Sequence, residues 1–307
     1  MGTPAAAVPS LARLIEDGHE VVAVYTQPDR PSGRGNHIAM PPVKEFALGH
    51  GLSVVQPLKI RTAETLDVFR SHGADLAVVV AYGRILPQAF LDAYPRGAIN
   101  VHFSLLPKYR GAAPVNWAIA NGEVETGVTT MQMDAGLDTG AILKQIATPI
   151  GENENAVELM ERLSGLGADL LVATLAELDS IIPVEQDHTQ ATLAPIMRKE
   201  DGLIDWSRSS KRIADRVRAF QPFPTSYTHL DGQKVTVWGA ATVEERPGEP
   251  GTILAAKGDE LLVACGGGTT IAIRELQLEG KRRMATRDFL NGVKIQTGMF
   301  FGQSHDQ

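Results

Sequence analysis

The sequence predicts an α/β fold, a mostly parallel sheet with helices on both faces, followed by a small β-barrel domain. Up to about residue 146, strand-like apolar runs alternate with helical periodicity, the order of a parallel sheet with crossover helices. The clearest buried strand is Asp75-Leu76-Ala77-Val78-Val79-Val80-Ala81. Beyond residue 200 the strand-like runs are short and broken by Asp231-Gly232, residues 247–251, Lys257-Gly258-Asp259 and Gly266-Gly267-Gly268, which suits a small barrel.

Each element follows in order. Met1-Gly2-Thr3-Pro4 leads into Ala6, Val8, Leu11 and Leu14 at helical spacing, and residues 20–26 read as a buried strand. Residues 27–37, Gln27-Pro28-Asp29-Arg30-Pro31-Ser32-Gly33-Arg34-Gly35-Asn36-His37, form a polar loop with two arginines. Composition alone makes it a solvated surface loop, and its glycine spacing fits neither a P-loop nor a dinucleotide fingerprint. Helices are expected over 43–51 and 63–73, another opens at Asn116 and Trp117, and a long one spans 152–179. Trp117 reads as core. The punctuation of 183–195 is that of a linker. The expected division is a domain over 1–182, a linker over 183–200 and a second domain over 201–307, with a helix over 210–219 capped by Ser209 or Ser210.

With 307 residues the chain can hold two cores, and its 43% hydrophobic and 21% charged content is ordinary for a globular protein. Cys265 is the one cysteine, so no intrachain disulfide can form and no Cys/His zinc spacing exists. The eight histidines are scattered, so no metal is expected. No apolar run reaches membrane-spanning length. The expectation is a cytoplasmic monomer with no membrane association. The net charge of −7 divides unevenly: residues 1–195 carry 13 Lys+Arg against 22 Asp+Glu (−9), and 196–307 carry 16 against 14 (+2). The second part therefore permits local phosphate contact, while the whole surface does not suit wrapping nucleic acid.

The chemistry concentrates in one stretch, Asn100-Val101-His102-Phe103-Ser104-Leu105-Leu106-Pro107. After the apolar Gly97-Ala98-Ile99, Asn100 and His102 sit two apart, so a strand end would aim an amide and an imidazole to one face. Alone, such a pair would read as a polar cap on the next turn. Downstream, Met133-Asp134-Ala135-Gly136-Leu137-Asp138-Thr139-Gly140 again follows a strand-like run, 127–133, and can bend around one carboxylate. Asn100, His102 and Asp138 together could bind a developing oxyanion and manage one proton, without an evident nucleophile.

Asn100-x-His102, the Ser104-Leu-Leu-Pro107 turn and Gly136-Leu-Asp-Thr-Gly140 together resemble the 10-formyltetrahydrofolate-dependent formyltransferase superfamily. Tyr109-Arg110-Gly111-Ala112-Ala113-Pro114 and the Ile204-Asp-Trp-Ser207…Arg218-Ala-Phe-x-Pro-x-Pro224 run are similar to its methionyl-tRNA formyltransferase branch, over residues 2 to about 300. The resemblance implies a Rossmann-like first domain and an OB-like β-barrel that meets tRNA. It implies that Asn100, His102 and Asp138 are catalytic. Ser104, Leu105, Leu106, Pro107, Tyr82, Gly83, Ile85 and Leu86 would line the folate site. Arg34 and the cluster Lys281-Arg282-Arg283 would contact tRNA phosphates. Initiator methionyl-tRNA would be the acceptor and 10-formyltetrahydrofolate the donor. A sugar-amine formyltransferase would share the three catalytic residues, and a non-catalytic folate- or tRNA-binding protein would share the fold.

The chain departs from the family in three places. Ala5 and Ala6 replace an acidic-aromatic pair, and Asn36 and His37 stand where lysines are usual. The apolar strand usual ahead of Gly-Thr-Pro is absent, which predicts an open gap in the sheet beside Gly2. Phe103, where many relatives carry a small residue, is expected to pack beneath the loop, the alternative being that it narrows the pocket.

Overall fold

The computed structural model describes residues 1–32 and 37–302, in two compact units. The first comprises Met1–Pro114, Glu125–Pro149 and Leu159–Pro195; the second comprises Val115–Val124, Ile150–Glu158 and Ile196–Gln307. The stretch expected as a linker over 183–200 is thus ordered within the first unit up to Pro195. Two short segments, 115–124 and 150–158, group with the second.

In the first unit, Ala77–Val79 pairs parallel with Ala98–His102, and Glu125–Gln132 and Ile142–Pro149 extend that sheet antiparallel. Val24–Tyr25 pairs parallel with Val54–Val55 as a separate two-stranded piece. Among the described residues, only Met1 and Gly2 stand between the two pieces. The Met1 nitrogen donates to the Val78 carbonyl, the Met1 carbonyl accepts from Val80 N, and Gly2 N donates to the Tyr25 carbonyl. A parallel bridge, Gly2 to Val80, is the one ladder rung there. Gly2 has no room for a side chain, since a Cβ would lie 2.7 Å from Ala7 Cβ and 2.9 Å from the Val80 carbonyl. Beyond the rung, a cavity of about 530 Å³ opens between residues 20–25 and 74–78. The strand expected over 20–26 is consequently ladder-paired only at Val24–Tyr25. Residues 20–23 lack a described neighbour strand on the cavity side.

The core below that gap is aromatic. Tyr25 meets Phe69 edge-on at 5.3 Å, and Phe69 meets Phe90 at 4.9 Å and Tyr94 at 4.7 Å between centroids. Such pairs add about 0.5–1.5 kcal/mol each beyond the area they bury. Phe69 is on the helix Ala63–Ser71, whose N-cap Thr62 accepts from Thr65 N. Helix Ala156–Ala176 buries Leu159, Leu163, Ala168 and Leu171. Its Gly167 lets Phe103 approach, and Phe103 packs there, 5% exposed, as expected from the sequence.

The second unit is an antiparallel sheet in the order Ser226–Leu230, Gln233–Val243, Thr270–Leu278, Glu260–Ala264, Ile253–Lys257, with Met284–Ala285 beside Thr270–Leu278. Asp231 and Gly232, both at positive φ, make the two-residue turn of the first hairpin. Helix Ser210–Ala219, capped by Ser209, buries Ile213 and Val217 in the sheet's core beside Trp206, Val237 and Phe289. The expected closed barrel is not formed by strand pairing, because no ladder joins the edge strands Ser226–Leu230 and Ile253–Lys257 among the described residues. Residues 298–302 span the opening instead. Toward one edge, Gly298 N donates to the Ile253 carbonyl, Ile253 N to the Met299 carbonyl and Phe301 N to the Gly251 carbonyl; toward the other, Gly302 N donates to the His229 carbonyl. Phe301 is fully buried and stacks on Trp206 at 5.8 Å. Trp117, read as core, is only half-buried and meets Phe220 edge-on at 6.1 Å in the same unit.

Candidate active site

Asn100 and His102 lie at the end of the strand Ala98–His102, opposite Met131 and Thr129 on the neighbouring strand. The two-residue spacing puts both side chains on one face. The Asn100 amide makes no hydrogen bond to any described residue, so its N–H groups are free to donate. His102 is 6% exposed, and its Nε2 lies 2.9 Å from the Tyr109 carbonyl. A carbonyl can only accept, so Nε2 carries a proton. In the neutral ring Nδ1 is then the bare nitrogen, and it faces Asp138 Oδ2 at 3.7 Å. A proton taken up at Nδ1 would therefore arrive beside the Asp138 carboxylate. Asp138 Oδ2 also accepts from Gly111 N at 2.8 Å. The hydrogen bond that orients His102 thus comes from Tyr109, and Asp138 contributes charge at closer to ion-pair range.

Asp138 stands at φ +53°, unusual for a residue with a side chain. Two features hold its loop there. Asp134 Oδ1 accepts from Gly136 N and from the Thr139 hydroxyl, and Gln186 Nε2 donates to the carbonyls of Asp138 and Gly140.

The Ser104–Pro107 turn is built by two residues of the neighbouring strands. The Thr129 hydroxyl donates to the Ser104 carbonyl and accepts from Leu106 N, and Gln145 Nε2 donates to the Leu106 carbonyl and to the Thr129 hydroxyl. The Ser104 hydroxyl closes the turn onto the Lys108 carbonyl. Leu106 is buried, and Leu105 and Pro107 are half-buried. In the other expected folate segment, Tyr82 and Leu86 sink into the aromatic core while Gly83 and Ile85 are exposed. Burial pushes the Tyr82 hydroxyl pKa up. The Tyr82 carbonyl accepts from Thr3 and from Gln27, and Arg84 binds the Gln27 side-chain oxygen. None of Asn100, His102 and Asp138 lines the 530 Å³ cavity.

Arg34 lies outside the described residues. The start of its loop is fixed at Asp29, which accepts from Lys44 Nζ at 2.7 Å and from Gln56 at 2.8 Å. The Lys44 ammonium and then the Gln56 amide hold the Asp29 carboxyl below the usual carboxylate range. Of the basic cluster, Arg283 is ion-paired with Glu275 and lies 5.0 Å over the Trp238 ring, while Lys281 and Arg282 are exposed. Among the described residues no group of three or more His, Cys, Asp or Glu could hold a metal ion. Nor, among the described residues, is any helix long and apolar enough to cross a membrane.

Sequence reading passed over Thr129, Gln145 and Gln186. The first two are ordinary strand residues, and Gln186 lies in the stretch read as a linker. Nothing local marks any of them.

This sheet, its strand-end amide–imidazole pair and the separate β unit are those of a two-part formyl transferase. The family model described as Formyl transferase matches residues 1–175, and that described as Formyl transferase, C-terminal domain, matches 196–294. The chain is 50% identical to the methionyl-tRNA formyltransferase of Geobacter sulfurreducens over 306 residues, 99% of this chain and 96% of that protein. It is 46% identical to that of Acetivibrio thermocellus, over 99% of this chain and 98% of that protein. The chain belongs to the methionyl-tRNA formyltransferase family. Among solved structures, a sugar 3N-formyl transferase with dTDP and 5-N-formyl-THF is similar at a TM-score of 0.66 and 19% identity, over 92% of this chain and 97% of that one. An N-formyltransferase from Helicobacter canadensis with folinic acid is similar at 0.67 and 20% identity, over 89% and 96%. At these identities the likeness is one of fold.

Proposed function

We propose that this chain transfers the formyl group of 10-formyltetrahydrofolate to the α-amine of methionyl initiator tRNA, as a cytoplasmic monomer. The observation that carries the reading is the strand end itself, a free Asn100 amide beside a His102 whose open nitrogen faces Asp138. The neutral amine attacks the formyl carbon and the carbonyl oxygen becomes an oxyanion, to which Asn100 donates. The amine sheds a proton and the folate N10 needs one as it leaves. His102 Nδ1, the nitrogen beside Asp138, is the position for that proton. The Ser104–Pro107 turn and the exposed Gly83 and Ile85 supply backbone and apolar contacts for the folate. The second unit and the loop of Arg34 supply the tRNA contacts, with Lys281 and Arg282 open to phosphate and Arg283 held by Glu275.

Formyl transfer measured with 10-formyltetrahydrofolate and methionyl initiator tRNA tests the reading, beside an arm with a nucleotide-linked amino sugar. Transfer to the tRNA alone is the expected result. Transfer to the sugar alone, or to neither by folded protein, would overturn it. Size-exclusion chromatography with light scattering checks the monomer.

A further inference from the structure

The polar atoms of Gln186 are fully committed to the site. The side chain is 5% exposed. Its two amide hydrogens go to the carbonyls of Asp138 at 2.9 Å and Gly140 at 2.7 Å. Its oxygen accepts from Arg110 Nε at 3.1 Å and Nη2 at 2.6 Å. A primary amide has two donors and one oxygen with two lone pairs, so the hydrogen-bonding capacity is filled. The orientation of the amide is determined too. Arg110 has no acceptor, so the oxygen must face the guanidinium and the nitrogen must face the two carbonyls. Arg110 is itself 7% exposed, and its Nη2 also lies 3.0 Å from His188 Nδ1, which must then accept.

The same stretch of chain grips the opposite wall of the site. Tyr109 N donates to the Thr192 hydroxyl and Arg110 N to the Thr192 carbonyl, and Arg110–Gly111 pairs parallel with Leu193–Ala194. Tyr109 provides the carbonyl that orients His102, and Gly111 provides the N–H that holds the Asp138 carboxylate. Residues 186–194 therefore tie together the two backbone segments whose separation sets the distance from His102 Nδ1 to Asp138 Oδ2. Gln186 reaches both at once, through Arg110 on one side and the Asp138 and Gly140 carbonyls on the other.

From this geometry we propose that Gln186 is a positioning residue for formyl transfer, holding Asp138 in its left-handed conformation so that its carboxylate stays beside His102, with Arg110 fixing the orientation of the Gln186 amide. The inference rests on the catalytic reading of His102 and Asp138. Gln186 acts through them and touches no reacting atom. Displacing a catalytic group by about an ångström costs up to about a hundredfold in rate, so loss of the clamp should lower kcat by about tenfold to a hundredfold with KM for both substrates within about twofold.

The test uses Gln186→Leu, and Gln186→Glu, which keeps an oxygen for Arg110 and loses both donations. Each is made alone and combined with Asp138→Asn. In the Asp138→Asn background neither should lower kcat further, because residues acting through one group are non-additive. The ring-nitrogen NMR signals of His102, assigned by their loss in His102→Gln, give a readout that needs no turnover. They should move in Gln186→Leu in the direction they move in Asp138→Asn. Folded Gln186 variants with kcat within twofold of the parent, a full additional loss in the double mutants, or unmoved His102 signals would each overturn the proposal. A parent enzyme silent with methionyl-tRNA would instead defeat the formyl-transfer reading, and the NMR comparison would still decide the clamp.

Discussion

Two neighbouring regions of the first unit's sheet are built differently. At the end that carries Asn100 and His102, backbone and side chains are stitched across long sequence distances by Thr129, Gln145, Gln186 and Thr192. Beside Gly2, the strands Val24–Tyr25 and Ala77–Val79 are linked through Met1 and Gly2, with one bridge, Gly2 to Val80, and a cavity of about 530 Å³ lies next to it. One region has few spare degrees of freedom where the reaction needs fixed geometry. The other, among the described residues, is held across the gap by a few hydrogen bonds of Met1 and Gly2. Rate and stability should therefore be separable by mutation.

The largest separation is expected from Asn100→Ala. It removes the free donor of the proposed site, so formyl transfer should fall about a hundredfold to a thousandfold while the melting temperature stays unchanged. A fall of less than tenfold would break the assignment. Across the gap, two strands from Asn100, Gly2→Val forces methyl groups against Ala7 and the Val80 carbonyl. It should cost about 1–3 kcal/mol in urea unfolding, with kcat falling far less than in Asn100→Ala. Thr129→Val addresses the stitched end again. It leaves Leu106 N and the Ser104 carbonyl without their partner, for about 1–3 kcal/mol, and here KM for the folate should rise with the stability loss. An apolar extension of five residues ahead of Met1 should enter the cavity, pair with both edges and raise the melting temperature by a few degrees. An unchanged melting temperature would show that the gap is not available to a strand.

The smallest effect concerns pH. Tyr94 lies in the aromatic core beside the cavity, and burial pushes its hydroxyl up to about 12, against about 10 for an unfolded tyrosine. Between those values the folded state holds a proton that the unfolded state has lost. Stability contributed by this group is complete below about pH 10 and declines as pH rises toward 12. Tyrosinate absorbance followed together with circular dichroism should show ionisation of this core only as the structure unfolds.

What could be read from the chain alone was whatever its chemistry keeps local. Asn100-x-His102 needs only a strand and its end, and the Asp138 loop only its glycines. Helix Ser210–Ala219 and its Ser209 cap were equally legible. The extent of strand 20–26 was not, because a ladder needs a neighbour and apolar composition does not say whether one is present. The barrel was expected to close by strand pairing, yet residues 298–302 bridge its edges, a contact with His229 some seventy residues distant in sequence that no periodicity encodes. Gln186 was invisible for the same reason. A glutamine in a polar stretch is ordinary until folding brings it to Asp138.

The chain's discontinuous division has a consequence for recombination among relatives. Asn116 donates to the Ala219 carbonyl, Arg212 to the Asn121 carbonyl, and Arg218 to the carbonyls of Gly151 and Glu154. A chimaera joined at residue 195 would inherit Ala219, Arg212 and Arg218 from one parent and their partners from the other. Backbone acceptors tolerate such exchange, because every residue presents a carbonyl, whereas the Trp117–Phe220 edge contact does not. Functional hybrids should therefore be those in which residues 115–124 and 150–158 travel with the C-terminal parent.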